Sequence, residues 1–172
     1  MTCRRLLFAA LAAATCAFSV ARPASADATI AGDLDIGFPL HSRGNSGWGF
    51  GIRLGQQLRS KPMVFTPELG FTYNNFSGDS GPEIYRGILG ARLGFGDVLR
   101  PGGFFHVAVG HFVPTVGDNK DAFSFDAGGF LDFTLIPLLD VGAHAAYNRV
   151  DADYGSGAYA YVTIGLHAGL VF

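Results

Sequence analysis

From Gly157 to the last residue the chain reads G-A-Y-A-Y-V-T-I-G-L-H-A-G-L-V-F. Counted back in steps of two from Phe172, the positions are Leu170, Ala168, Leu166, Ile164, Val162, Ala160 and Ala158, all apolar. The intervening set is Val171, Gly169, His167, Gly165, Thr163, Tyr161 and Tyr159. Side chains alternate between faces along a strand, so this pattern predicts a long strand with one wholly apolar face. The same alternation recurs upstream in seven further segments: Thr29–Leu40, Trp48–Leu58, Met63–Asn74, Glu83–Gly96, Gly103–Val113, Ala122–Leu135 and Leu138–Val150. Pro67 interrupts the third, which requires an irregularity or a locally unpaired N–H there.

The connectors sort into two kinds. Those after the second, fourth and sixth segments are short, such as R-S-K-P and Ile136-Pro137, whereas those after the first, third, fifth and seventh are longer, polar and glycine-rich. Short and long connections alternating between eight strands describe an up-and-down meander with tight turns at one end and loops at the other. Each segment is close to or above the length a tilted strand needs to cross a bilayer, and Trp48, Tyr73, Tyr85, Phe95, Phe105, Phe123, Phe133, Tyr147 and Phe172 fall toward strand ends, where interfacial aromatics belong. The predicted fold class is all-β, an eight-stranded antiparallel up-and-down transmembrane β-barrel.

The first residues carry a different signal. Arg4 and Arg5 precede an apolar run from Leu6 to Val20, and Ala24-Ser25-Ala26 forms a small-x-small site, the layout of a cleaved secretory signal peptide. Residues 1–26 are therefore expected to be removed, leaving 27–172 as one barrel domain. Both cysteines, Cys3 and Cys16, fall in the removed part, so the exported domain has to fold without disulfides. Loss of Arg4, Arg5 and Arg22 leaves nine basic against fourteen acidic residues, a formal charge of minus five. With no basic patch, no nucleic-acid partner is expected.

A terminal strand ending on Phe172, with Ile164, Leu166 and Leu170 at alternating positions before it, resembles the C-terminal insertion signal of bacterial outer-membrane barrels. Over its whole mature length the chain resembles the small eight-stranded barrels typified by the outer-membrane protein A transmembrane domain and outer-membrane protein X. That resemblance implies an outer-membrane location, outer-membrane lipid and lipopolysaccharide as surroundings, and handling by the barrel-assembly machinery. It carries architecture only and leaves the activity and any partner of the extracellular loops unspecified.

Alternation alone does not fix which face points outward, since a soluble lipocalin-type barrel has the same period with the apolar set inside. A glycine-dominated opposite face, the alternating connector lengths and the terminal strand favour the membrane arrangement. The lumen then holds Asp33, Asp35, Arg53, Glu68, Arg86, Arg92, His106, Asp126, Asp132, Asp140, His144 and His167. Eight strands leave room only for side chains, so these groups are expected to form an ion-pair and hydrogen-bond network, with the arginines shared among carboxylates. The sharper alternative is a narrow transporter or pore, with the three histidines titrating near neutral pH.

Catalysis of the lipid A-modifying type requires a Ser, a His and an acid on one face. His111 has outward parity while Ser124 and Asp126 point inward, and His41-Ser42 has no nearby acid. No enzyme activity and no catalytic residue are therefore predicted. Asp118, Asp121, Asp151 and Asp153 form no D-x-D-x-D-G loop, so no metal or cofactor site is predicted either. The leading expectation is a non-enzymatic barrel contributing to envelope integrity or presenting its loops outside, with the transporter, the lipid A-modifying enzyme and the soluble ligand-binding barrel as alternatives.

Overall fold

The computed structural model describes residues 26–40, 45–76, 81–114, 117–151 and 157–172. Residues 1–25 of the predicted signal peptide, His41 and Ser42, Asp153 and the tips of the four long loops lie outside the described residues, whereas Ala26, predicted as the last residue of that peptide, opens the first strand. Eight strands close into one barrel in sequence order: β1 (Ala26–Pro39), β2 (Gly47–Ser60), β3 (Met63–Asn75), β4 (Glu83–Phe95), β5 (Leu99–Val113), β6 (Lys120–Ile136), β7 (Leu139–Val150) and β8 (Tyr159–Val171). Every neighbouring pair is antiparallel, and β8 returns to β1 with Leu34 opposite Leu166. Ala28 and Phe172 exchange both backbone hydrogen bonds, at 2.8 and 2.9 Å, so the last residue seals the closure.

The parity predicted from the sequence is the parity observed. Leu34, Ile36, Ile52, Leu54, Phe105, Leu131, Ile164, Leu166 and Phe172 stand exposed on the outer wall, while Asp33, Arg53, Glu68, Arg86, His106 and Asp132 are buried inside. Leu34 is 70% and Leu166 68% exposed, yet Arg53 is only 7% exposed. A soluble protein seldom exposes a contiguous apolar patch beyond a few hundred Å². Here the band encircles the molecule, and the soluble-barrel arrangement, with its apolar set inside, does not hold.

Three tight turns and both described chain ends share one rim: Lys61-Pro62 between β2 and β3, Gly96 to Val98 between β4 and β5, and Pro137-Leu138 between β6 and β7. Gly96 has φ of +116°, a conformation that side-chain-bearing residues rarely adopt, and its N–H donates to the Pro62 carbonyl at 2.8 Å, joining two turns. Pro67 is accommodated without an inserted residue. The β2–β3 register runs to Gly55 opposite Glu68 and resumes at Leu58 opposite Phe65, so the ladder simply lacks rungs beside the missing N–H.

Five strands are longer than the alternation alone indicates, while β4, β7 and β8 are slightly shorter. The first begins at Ala26 rather than Thr29, the second continues to Ser60, and the sixth starts at Lys120. The fifth differs most: it begins at Leu99 instead of Gly103, so Arg100 lies within a strand and not in a turn. Pro101 follows it close to the strand start, where the loss of one donor is tolerated.

Candidate functional site: the barrel lumen

All twelve polar residues predicted for the lumen point into it, and they join into two connected groups. In the first, Arg53 donates from Nε and Nη2 to the two oxygens of Asp33 at 2.8 and 2.7 Å, and from Nη1 to both oxygens of Glu68 at 3.2 and 3.0 Å. Glu68 Oε1 lies 2.7 Å from His106 Nε2, and His106 Nδ1 lies 2.6 Å from Asp126 Oδ1. Asp126 is also paired with Arg86 at 3.3 Å, and Arg86 Nε donates to Thr72 at 3.1 Å. The group thus crosses the lumen from β1 to β6.

The second group runs lengthwise. Asp35 Oδ1 is 2.8 Å from His144 Nε2, the Nδ1 atoms of His144 and His167 are 3.2 Å apart, and His167 Nε2 is 2.7 Å from Asp132 Oδ1. Asp132 pairs with Arg92 at 3.2 Å, and the Arg92 guanidinium carbon sits 3.9 Å from the centre of the Phe130 ring. Arg100 lies 3.8 Å from Asp132 and 3.2 Å from Asp140. Asp140 further accepts from Thr134 at 2.6 Å and from Gln57 at 3.3 Å, and Arg59 at the rim pairs with Asp27 at 3.1 Å.

His106 has a carboxylate oxygen within 2.7 Å of each ring nitrogen, and His144 and His167 each have one against Nε2, at 2.8 and 2.7 Å. Six lumen carboxylates (Asp33, Asp35, Glu68, Asp126, Asp132, Asp140) face four guanidiniums (Arg53, Arg86, Arg92, Arg100), and the three histidines lie against four of those carboxylates.

Two cavities of about 40 and 50 Å³ lie in the lumen, with Arg53 and Arg92 lining both, so the two guanidiniums stand between them. Each has room for a few waters and no more. Toward the long-loop end the interior turns apolar: Phe76, Ile84, Phe112, Ala122, Val150, Tyr159 and Tyr161 form a buried plug. Phe76 packs edge-on to Tyr161 at 4.9 Å between ring centres, and the Tyr161 hydroxyl donates to Asn74 at 3.0 Å.

The sequence reading missed Arg100, Gln57 and this plug. Arg100 was hidden by the Gly- and Pro-bearing turn around it. The plug residues have inward parity, as Tyr159 and Tyr161 do in the terminal pattern, but near strand ends both parities are apolar and the contrast disappears.

The catalytic candidates remain apart. His111 is half exposed on the outer side and pairs with Asp121 at 2.9 Å, whereas Ser124 and Asp126 are buried inside. Ser124 Oγ is fully buried and has no hydrogen-bond partner among the described residues. Among the loop acids, Asp151 pairs with Arg149 at 2.9 Å. Among the described residues, the grouping with metal-ligand geometry is Asp33, His144 and His167.

No protein-family model and no curated protein sequence matches the chain. Solved structures do match in fold. Neisserial surface protein A superposes with a TM-score of 0.64 at 14% identity, over 86% of this chain and 99% of that one. The outer membrane enzyme PagL gives 0.59 at 15% identity, covering 81% and 97%. Ail, the attachment invasion locus protein of Yersinia pestis, gives 0.57 at 14% identity, covering 86% and 97%. Closure in eight strands and these superpositions identify the fold of this chain as that of the small eight-stranded outer-membrane β-barrels.

Proposed function

We propose that the protein is a non-enzymatic, non-conducting integral barrel of the bacterial outer membrane that acts through its surface, contributing to envelope integrity or engaging partners with its loops. The observation that carries this reading is the sealed lumen. Among the described residues an apolar plug lies at the loop end, and below it paired charges surround two cavities of about 40 and 50 Å³. A permeating ion would have to displace both, and each broken buried pair costs several kcal/mol. The apolar outer band supports contact with outer-membrane lipid and lipopolysaccharide, and the terminal Phe172 supports handling by the assembly machinery.

The fold also serves an enzyme, PagL. In this chain, however, the buried Ser124 and the outward His111 lie on opposite sides of the wall. Expression of the precursor in a Gram-negative host tests each part. The band should enter the outer-membrane fraction and change gel mobility on boiling, the purified barrel should be silent in planar bilayers, and the lipid A mass of the host should be unchanged. Steady unitary conductance reinstates the pore, a new lipid A mass reinstates the enzyme, and a soluble periplasmic product removes the membrane assignment.

A further inference from the structure

We propose that His144, His167 and Asp33 form a binding site for one zinc-class divalent cation at the seam where β7, β8 and β1 meet. Asp33 is the direct register partner of His167 across the closing β1–β8 ladder. His167 lies opposite Gly142 and His144 opposite Gly165, which sets the two rings diagonally on adjacent strands. One donor atom from each of the three residues falls within 4.8 Å of the other two.

The two rings are arranged as ligands. Each Nε2 is committed to a carboxylate, His144 to Asp35 at 2.8 Å and His167 to Asp132 at 2.7 Å. That pairing fixes the tautomer and turns both Nδ1 atoms toward each other, as outer carboxylates do for metal-bound histidines. The Nδ1 separation of 3.2 Å subtends roughly 100° at an ion about 2.05 Å from each nitrogen, near the tetrahedral angle. Two imidazoles and one carboxylate are a borderline donor set that suits zinc, whereas calcium and magnesium prefer oxygen alone.

Two glycines keep the space. A Cβ at Gly142 would lie 2.6 Å from His167 Nε2 and 2.8 Å from Asp132 Oδ1. One at Gly165 would run into Asp35 Oδ1 and lie 2.9 Å from His144 Cε1. Both positions sit beside the paired rings and their carboxylates, so a side chain at either would push the ligands off their aim. A water from the neighbouring cavity lined by Asp33 and His144 completes four-coordination. The ion takes one Nδ1 lone pair from each ring, and any proton held between the two nitrogens leaves to water. Asp33 keeps Arg53 through its remaining lone pairs, since each carboxylate oxygen offers two.

The test uses the folded, full-length mature barrel in detergent micelles, stripped with EDTA and then loaded with zinc chloride or cobalt chloride. Zinc retained after dialysis, measured by elemental analysis and by competition with a chromogenic chelator, should reach one per barrel. His144→Gln, His167→Gln and Asp33→Asn should each weaken it at least tenfold, whereas the outward-facing His111→Ala should retain it. Boiling-dependent mobility confirms that each variant has folded. Should a variant not fold, the wild-type cobalt spectrum decides alone: intense visible bands of a tetrahedral ion uphold the site, and the weak bands of an octahedral one overturn it. Less than one zinc per wild-type barrel, or equal retention by the histidine variants, also overturns the proposal. Neither result bears on conductance or lipid A, so the surface function stands or falls separately.

Discussion

Replacing Arg53 with Met tests the account of the lumen most directly. The substitution keeps most of the stem's volume and removes a guanidinium that makes four hydrogen bonds to two carboxylates. Glu68 retains His106 at 2.7 Å, but Asp33, 7% exposed, loses the guanidinium that holds both its oxygens. Stranding one member of a buried pair costs about 3–5 kcal/mol, roughly a hundredfold to several-thousandfold in the unfolding constant. The protein has a single tryptophan, Trp48, 54% exposed on the outer wall, so its emission reports transfer from an apolar surround to water. Reversible urea unfolding from lipid vesicles, followed by that emission, gives the free-energy difference. Arg53→Met with Asp33→Asn should recover more than about 1 kcal/mol, because a neutral amide costs less to bury than a lone carboxylate. A loss below about 1 kcal/mol in the single variant, the value of an exposed ion pair, would refute the reasoning and show a lumen wet enough to solvate Asp33.

Three further outcomes follow from the same geometry. Ser124→Ala removes a fully buried hydroxyl that has no partner among the described residues, so unfolding stability should stay level or rise by up to about 1 kcal/mol; a loss beyond that would reveal a bond to Ser124. Leu54→Arg places a charge near the middle of β2 on the exposed wall and should cost about 2–4 kcal/mol in vesicles, with the penalty fading for the same change nearer a strand end. Gly165→Ala pushes a methyl group into Asp35 and to 2.6 Å from the Leu34 carbonyl, and should lower stability by about 1–3 kcal/mol; an unchanged midpoint would mean that β1 and β8 shift apart freely.

Strand number, order, parity and the twelve lumen residues were all legible, because each depends on a period of two that a single sequence displays. What was not legible depends on register. The alternation places His106 inside, but only the pairing of β5 with β6 sets it opposite Asp126, and only barrel curvature brings Glu68 to its other nitrogen. Arg100 shows how turn chemistry misleads: Gly96 does make the turn, yet β5 resumes three residues later with Pro101 already in the strand. The His144–His167–Asp33 grouping was invisible for the same reason. Its members are far apart in sequence and meet because the last strand returns to the first.

Many of the lumen contacts skip a strand or cross the barrel. Glu68 on β3 meets His106 on β5, Arg92 on β4 meets Asp132 on β6, Arg100 on β5 meets Asp140 on β7, and Asp35 on β1 meets His144 on β7. A flat hairpin, or a sheet not yet curled, makes none of these bonds and would show its charges to the hydrocarbon. At about 2–4 kcal/mol for each basic side chain near the midplane, strand-by-strand entry into the bilayer is prohibitive. Rolling up and crossing the membrane are therefore expected to occur together, with closure complete once Phe172 pairs with Ala28. The charge pairing would thereby couple the curling of the sheet to its insertion.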